Sequence, residues 1–142
     1  MILDTSFLLS AFVPDQTHHH ACARILASRR PLVVSPFVLA ELDYLTAKLA
    51  GSDAQSRLLR ELSSGAYEIA VFDQSDLLQS SRIVERYQDQ QIGLADASLI
   101  LLADRYGTDT IATLDQRHFR VVRSLDGRPF TILPSDAQAS QG

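Results

Sequence analysis

The chain has 142 residues, a formal net charge of −4 and 46% hydrophobic content. That length suits one domain, and the balance of apolar and charged residues argues against both disorder and residence in a membrane. The acidic balance excludes a protein that coats nucleic acid by charge alone, and a single cysteine, Cys22, excludes an internal disulfide or a cysteine-built metal site.

Read in chain order, Met1–Leu3 is a predicted strand, followed by a helix from Thr5 to about Phe12 that Pro14 and Asp15 break. Asp4 interrupts the apolar start and no basic stretch precedes it, so a signal peptide is not expected and a cytoplasmic location is. A second helix runs from Thr17 to about Ser28, and Pro31–Val34 reads as the second strand. Ser35-Pro36 then offers a cap with proline in the first turn, opening a helix to about Ala50. Gly51 ends it, and Ser52 or Asp53 caps a further helix to about Leu62.

Tyr67–Phe72 is the third predicted strand, Asp73 to about Tyr87 a helix, and Leu94–Tyr106 the most apolar helix of the chain. Thr110–Thr113 and Phe130–Leu133 complete the strands, which gives a domain over residues 1–134 and a flexible tail over 135–142. Strands separated by helices imply right-handed crossovers, hence an α/β fold with a mostly parallel sheet of about five strands covered on both faces. Ligands of such sheets sit beyond the carboxyl ends of the strands, where Asp4 and Asp115 both fall.

Four acids occupy unusual surroundings: Asp4 behind Met1-Ile2-Leu3, Glu41 among Phe37, Val38, Tyr44 and Leu45, Asp96 among Ile92, Leu99 and Ile100, and Asp115 after Ile111-Ala112-Thr113-Leu114. Asp4 and Asp115 have helix capping as an alternative role, and Asp96 can complement a helix dipole; Glu41 has no such excuse. Asp43 lies about 200° around the helix from Glu41 and is assigned to a supporting or surface position. Two carboxylates about 4 Å apart repel by about 4 kcal/mol at an effective dielectric near 20, so four clustered acids require a cation. Oxygen-only donors select Mg²⁺, with Mn²⁺ as substitute, and that points to metal-assisted hydrolysis of a phosphodiester.

Thr5, Ser6 and Thr113 add hydroxyls beside Asp4 and Asp115, either for phosphate and water or for capping alone. All basic residues except Lys48 are arginines, several of them in the C-terminal third, and Arg117 is the best candidate for a phosphate contact. His18-His19-His20 cannot chelate one ion, because consecutive helical residues point in different directions; His118 reads as a loop histidine beside Phe119. Tyr44, Tyr87 and Tyr106 sit in helices and read as core or interface residues.

Met1-Ile2-Leu3-Asp4-Thr5-Ser6, Ser35-Pro36-Phe37-Val38-Leu39-Ala40-Glu41-Leu42, Gly93-Leu94-Ala95-Asp96-Ala97 and Thr113-Leu114-Asp115 together resemble the four acidic motifs of PIN-domain ribonucleases, specifically VapC-type toxins of toxin–antitoxin pairs. The resemblance spans nearly the whole chain. It implies a PIN-like three-layer α/β/α sandwich and an Mg²⁺-dependent endoribonuclease with Asp4, Glu41, Asp96 and Asp115 around the metal. It further implies a homodimer, a VapB-type antitoxin, and a structured RNA target, either tRNA or a ribosomal loop. Glu41-Leu42-Asp43-Tyr44-Leu45 and Tyr87-Gln88-Asp89-Gln90-Gln91-Ile92-Gly93 are similar to a subgroup directed at the sarcin-ricin loop. The competing readings are a non-catalytic PIN-fold RNA- or protein-binding module, and a haloacid-dehalogenase-like phosphatase. The latter wants an Asp where Ser6 stands and a later catalytic Lys, whereas Lys48 lies mid-helix.

Overall fold

The computed structural model describes residues 1–137. Its sheet contains β1 (Ile2–Leu3), β2 (Val33–Val34), β3 (Glu68–Ile69), β4 (Thr110–Ala112) and β5 (Thr131–Leu133). All pairings are parallel and the spatial order is β3-β2-β1-β4-β5. The chain therefore winds outward from β1 through β2 to β3, then returns to β4 on the other side of β1. That reversal leaves a crevice beyond the carboxyl ends of β1 and β4.

The connecting helices are α1 (Thr5–Phe12), α2 (His19–Ser28), α3 (Pro36–Leu62), α4 (Gln74–Arg86), α5 (Leu94–Arg105) and α6 (Gln116–Val121). Central strands covered on both faces must be apolar throughout, and Ile2, Leu3, Val33, Val34, Ile111 and Ala112 are all fully buried. α5 is buried without interruption from Ala97 to Ala103, which explains why its sequence is apolar on every side. Phe7 and Leu8 of α1 and Val38 and Leu42 of α3 close the core; burying each such side chain contributes about 1.5–3 kcal/mol.

The break expected at Gly51 is present: its φ of 89° and ψ of 174° are non-helical and divide α3 into two helical runs. Other elements differ from expectation. β3 has only two residues, both exposed, because it is the sheet edge and pairs on one side alone. α2 begins at His19 rather than Thr17. Residues 116–121 form α6, where the sequence predicts no helix: six residues carry too little apolar periodicity to announce one, and Phe119 anchors it in the core. Of the segment expected to be flexible, Ser135–Ala137 form one 3₁₀ turn in which Asp136 accepts from Ile132 N (2.7 Å) and pairs with Arg120 (2.6 Å). Residues 138–142 lie outside the described part. Among the described residues, no helix is long and apolar enough to cross a membrane.

Candidate active site

The site begins at the carboxyl end of β1, where Asp4 N donates to Ala112 O at 2.9 Å and so locks β1 to the end of β4. Asp4 is the N-cap of α1: its backbone is extended and its Oδ1 accepts from Thr5 N at 2.8 Å. The capping role weighed from sequence is real, but it occupies one oxygen only. Oδ2 accepts from Thr113 Oγ1 at 2.6 Å and from Ser6 Oγ at 3.3 Å. Those hydroxyls in turn accept from the next turn's backbone, Leu114 N to Ser6 Oγ at 3.0 Å and Asp115 N to Thr113 Oγ1 at 3.0 Å. Two strand-to-helix turns are thereby knitted around one carboxylate.

Asp4 is 8% exposed, and among the described residues no cation pairs with it. Burial pushes its pKa up to about 6, against the pull of the Thr113, Thr5 and Ser6 hydrogen bonds, and the charge of Asp96 adds to the rise. Asp96 stands in the first turn of α5, as expected for an acid near a helix N-terminus. Burial raises its pKa too, and Asp115 adds to that, while His118 and the Gly93 backbone oppose. Asp96 is thus near enough for its charge to act on Asp4, and Asp115 near enough to act on Asp96.

His118 is the residue that sequence reasoning set aside. It lies on α6, and its Nδ1 is 3.0 Å from Asp96 Oδ2. The missed signal was the spacing Asp115-x-x-His118, which places both groups on one side of a helical turn once α6 exists. Arg117 is almost fully exposed, with its Nε 3.6 Å from Asp115 Oδ1, a loose pairing that leaves the guanidinium in solvent.

Glu41 departs from expectation in burial but not in location. The buried face of α3 comprises Val38, Leu42 and Thr46, so Glu41 sits on the flank and is exposed, as is Tyr44 at 64%. It reaches the site through Thr5, whose Oγ1 donates to Glu41 Oε1 at 3.1 Å. Asp43 faces elsewhere and accepts from Gln55 Nε2 at 2.7 Å across the break at Gly51. A further polar link was not foreseen: Ser98 Oγ donates to Ala95 O at 2.6 Å, which leaves Ser35 Oγ to donate to Ser98 Oγ at 2.7 Å, tying the starts of α3 and α5 together.

The triple histidine behaves as helical geometry requires. His19 Nδ1 contacts Ser10 O at 3.0 Å, while His18 and His20 are exposed. Tyr87 and Tyr106 are partly buried, with the Tyr106 hydroxyl donating to Glu68 Oε1 at 2.6 Å.

The four acids present oxygen donors only. Among the described residues, no three His, Cys, Asp or Glu side chains stand close enough to form a ready-made cage for an ion. That arrangement does not suit a closed tetrahedral zinc site. Carboxylate oxygens without thiolate or imidazole ligands are donors that a hard cation would accept.

A model of the PIN domain matches residues 1–124. The chain is 50% identical over 135 residues to Ribonuclease VapC26 of Mycobacterium tuberculosis, a match covering 94% of this chain and 100% of that protein. The structure superposes on the crystal structure of VapC20 from Mycobacterium tuberculosis, described as a sarcin-ricin loop cleaving toxin, with a TM-score of 0.74 and 20% identity, covering 80% of this chain and 88% of that one. It also resembles FitAcB from Neisseria gonorrhoeae, with a TM-score of 0.65 and 21% identity over 92% of this chain and 96% of that one. At such identities the two structures speak for the fold alone. The family model and the half-identical relative, taken with the acids gathered at the sheet crevice, show that the chain belongs to the PIN-domain family, in its branch of VapC-type ribonucleases.

Proposed function

We propose that this chain is a divalent-metal-dependent endoribonuclease toxin that hydrolyses phosphodiester bonds in structured RNA and is restrained by a VapB-type antitoxin. The observation that carries the reading is Asp4, a buried carboxylate gripped by hydroxyl and amide donors and, among the described residues, without a basic side chain to pair with it. Asp4, Asp96 and Asp115, with Glu41 from the flank, would hold Mg²⁺, or Mn²⁺ in its place. When bound, the ion supplies Lewis-acid polarisation of the phosphodiester and the positive charge that relieves the mutual repulsion of the acids.

The chain's own residues do the rest. Thr5, Ser6 and Thr113 fix the carboxylates by hydrogen bonds, so that Asp4 keeps its orientation when it ionises. His118 holds Asp96, and Arg117 stands in solvent beside Asp115, where a phosphate of the substrate can meet it. The similarity to Ribonuclease VapC26 supports RNA as substrate, and the stretches Glu41-Leu42-Asp43-Tyr44-Leu45 and Tyr87-Gln88-Asp89-Gln90-Gln91-Ile92-Gly93, similar to those of a subgroup directed at the sarcin-ricin loop, make that ribosomal loop the first target to try, ahead of tRNA. A homodimer acting in the cytoplasm completes the proposal.

The phosphatase reading finds no support: Ser6 binds Asp4 rather than replacing an acid, and Lys48 lies over the exposed Tyr44 ring at 5.9 Å. The deciding experiment incubates purified chain with a sarcin-ricin loop RNA and with tRNA in Mg²⁺, beside Asp4→Asn and Asp96→Asn. Cleavage by wild type that both variants and chelation abolish is the expected result. Equal cleavage by all three proteins removes this site from the chemistry, and binding without cleavage by wild type would favour a non-catalytic module.

A further inference from the structure

The acidic centre itself repels a polyanion, so an RNA-cleaving chain of net charge −4 must gather positive charge elsewhere to hold its substrate. Of the seven arginines in the C-terminal half, three are neutralised in place, Arg105 by Asp76 at 2.7 Å, Arg120 by Asp136 at 2.6 Å and Arg128 by Asp126 at 2.8 Å, and Arg117 pairs loosely with Asp115 at 3.6 Å. Arg82, Arg86 and Arg123 differ. All three are exposed, and among the described residues none of their side chains makes an ion pair or hydrogen bond.

Gln79, Arg82 and Arg86 recur along one stripe of α4, and with Ile83 and Leu125 they line a cavity of about 220 Å³. Its position follows from two connections that leave the acidic site. The residues preceding Asp96 run back through Gly93 and the 3₁₀ turn Gln88–Gln90 to the end of α4. The residues following His118 run through α6 to Arg123, whose backbone N donates to the Tyr87 hydroxyl at 3.1 Å. That bond fixes Arg123 beside the end of α4. Aliphatic floor, amide and unpaired guanidinium groups are the chemistry that grips a sugar-phosphate backbone without reading its sequence.

We infer that the α4 groove around Arg82 and Arg86, with Arg123 at its edge, is a second RNA contact, taking backbone phosphates of the strand that flanks the cleaved bond. The inference rests on the ribonuclease reading above for the identity of the polyanion, but its test does not depend on cleavage. Binding of a fluorescently labelled RNA stem-loop is measured by anisotropy over a series of salt concentrations, in an Asp4→Asn background so that the probe stays intact. Arg82→Ala/Arg86→Ala is compared with the parent, with Arg82→Lys/Arg86→Lys, and with Arg24→Ala/Arg60→Ala, a pair of exposed arginines on α2 and α3 that changes the net charge equally.

The groove variant is expected to bind on the order of tenfold more weakly and to lower the slope of log affinity against log salt by about 1.4–1.8, the loss of two phosphate contacts. The lysine variant should recover most of the slope, the distant pair should keep it, and melting temperatures should agree. Unchanged affinity and slope in the groove variant, an equal loss in the distant pair, or no binding by the parent at low salt would overturn the inference. So would intact RNA binding with loss of antitoxin binding, which would assign the groove to a protein partner. A parent that binds through the groove while wild type cleaves nothing would sink the proposed catalysis and leave the contact standing.

Discussion

His118 and Asp96 come from different helices, 22 positions apart in the chain, and meet with Nδ1 3.0 Å from Oδ2. This contact makes His118 a positioning residue for a carboxylate that burial would otherwise drive toward its protonated form. Removing the imidazole removes both an opposing charge and a hydrogen bond. His118→Ala should therefore lower cleavage about tenfold at neutral pH and move the acid limb of the pH–rate profile to higher pH. His118→Asn, whose amide can stand where Nδ1 stood, should recover part of the loss. An alanine variant with an unshifted acid limb would show that the contact does not tune Asp96.

Asp4 links stability to pH. Its folded pKa of about 6 exceeds the ordinary 3.8, so between those values the folded state binds more protons than the unfolded chain. Stability then falls as pH rises through that window. Between pH 5 and 7 the contribution is about 1 kcal/mol, or roughly 2–6 °C in melting temperature for a domain of this size. Metal-free wild type should lose that margin relative to Asp4→Asn, which carries no titrating group there. A difference between the two proteins that stays flat from pH 5 to 7 contradicts the burial argument.

Divalent ions should act in the opposite sense. An ion that binds only the folded state at ten times its dissociation constant stabilises by about 1.4 kcal/mol, so Mg²⁺ or Mn²⁺ should raise the melting temperature by about 4–5 °C at pH 7. The gain should shrink below pH 6, where the ion has to displace the proton on Asp4, and should vanish in Asp4→Asn. An equal shift in the variant would place the ion elsewhere.

Gly51 carries the break in α3. Its φ of 89° lies where side chains are strained, yet beyond its chain neighbours and its own helix backbone no heavy atom would lie within 4 Å of a Cβ. Gly51→Ala should therefore cost about 1–3 kcal/mol through the backbone alone, measured by urea unfolding. Cleavage below the transition should be unaffected, since Gly51 touches none of the four acids. A neutral substitution would mean that the two halves of α3 can fuse without penalty.

Much of this protein was legible in its sequence. Alternation of apolar runs with helical periods announced a parallel sheet with crossovers, and Gly51 announced the end of a helical run, because these signals are local and each follows from one residue type or spacing. The motifs around Asp4, Glu41, Asp96 and Asp115 pointed to the family that the comparisons show. Tertiary structure alone decided how unequal those acids are. Burial is a property of the whole fold: it makes Asp4 the enclosed member, leaves Asp96 and Asp115 half-covered, and puts Glu41 on an exposed flank that Thr5 connects to the centre. It also created α6, a helix too short to show a period, and so turned His118 from a loop residue into the partner of Asp96. A one-dimensional pattern records which groups are available; which of them lose their water, and which find a partner across 22 or 109 positions, depends on contacts that exist only after the chain has closed.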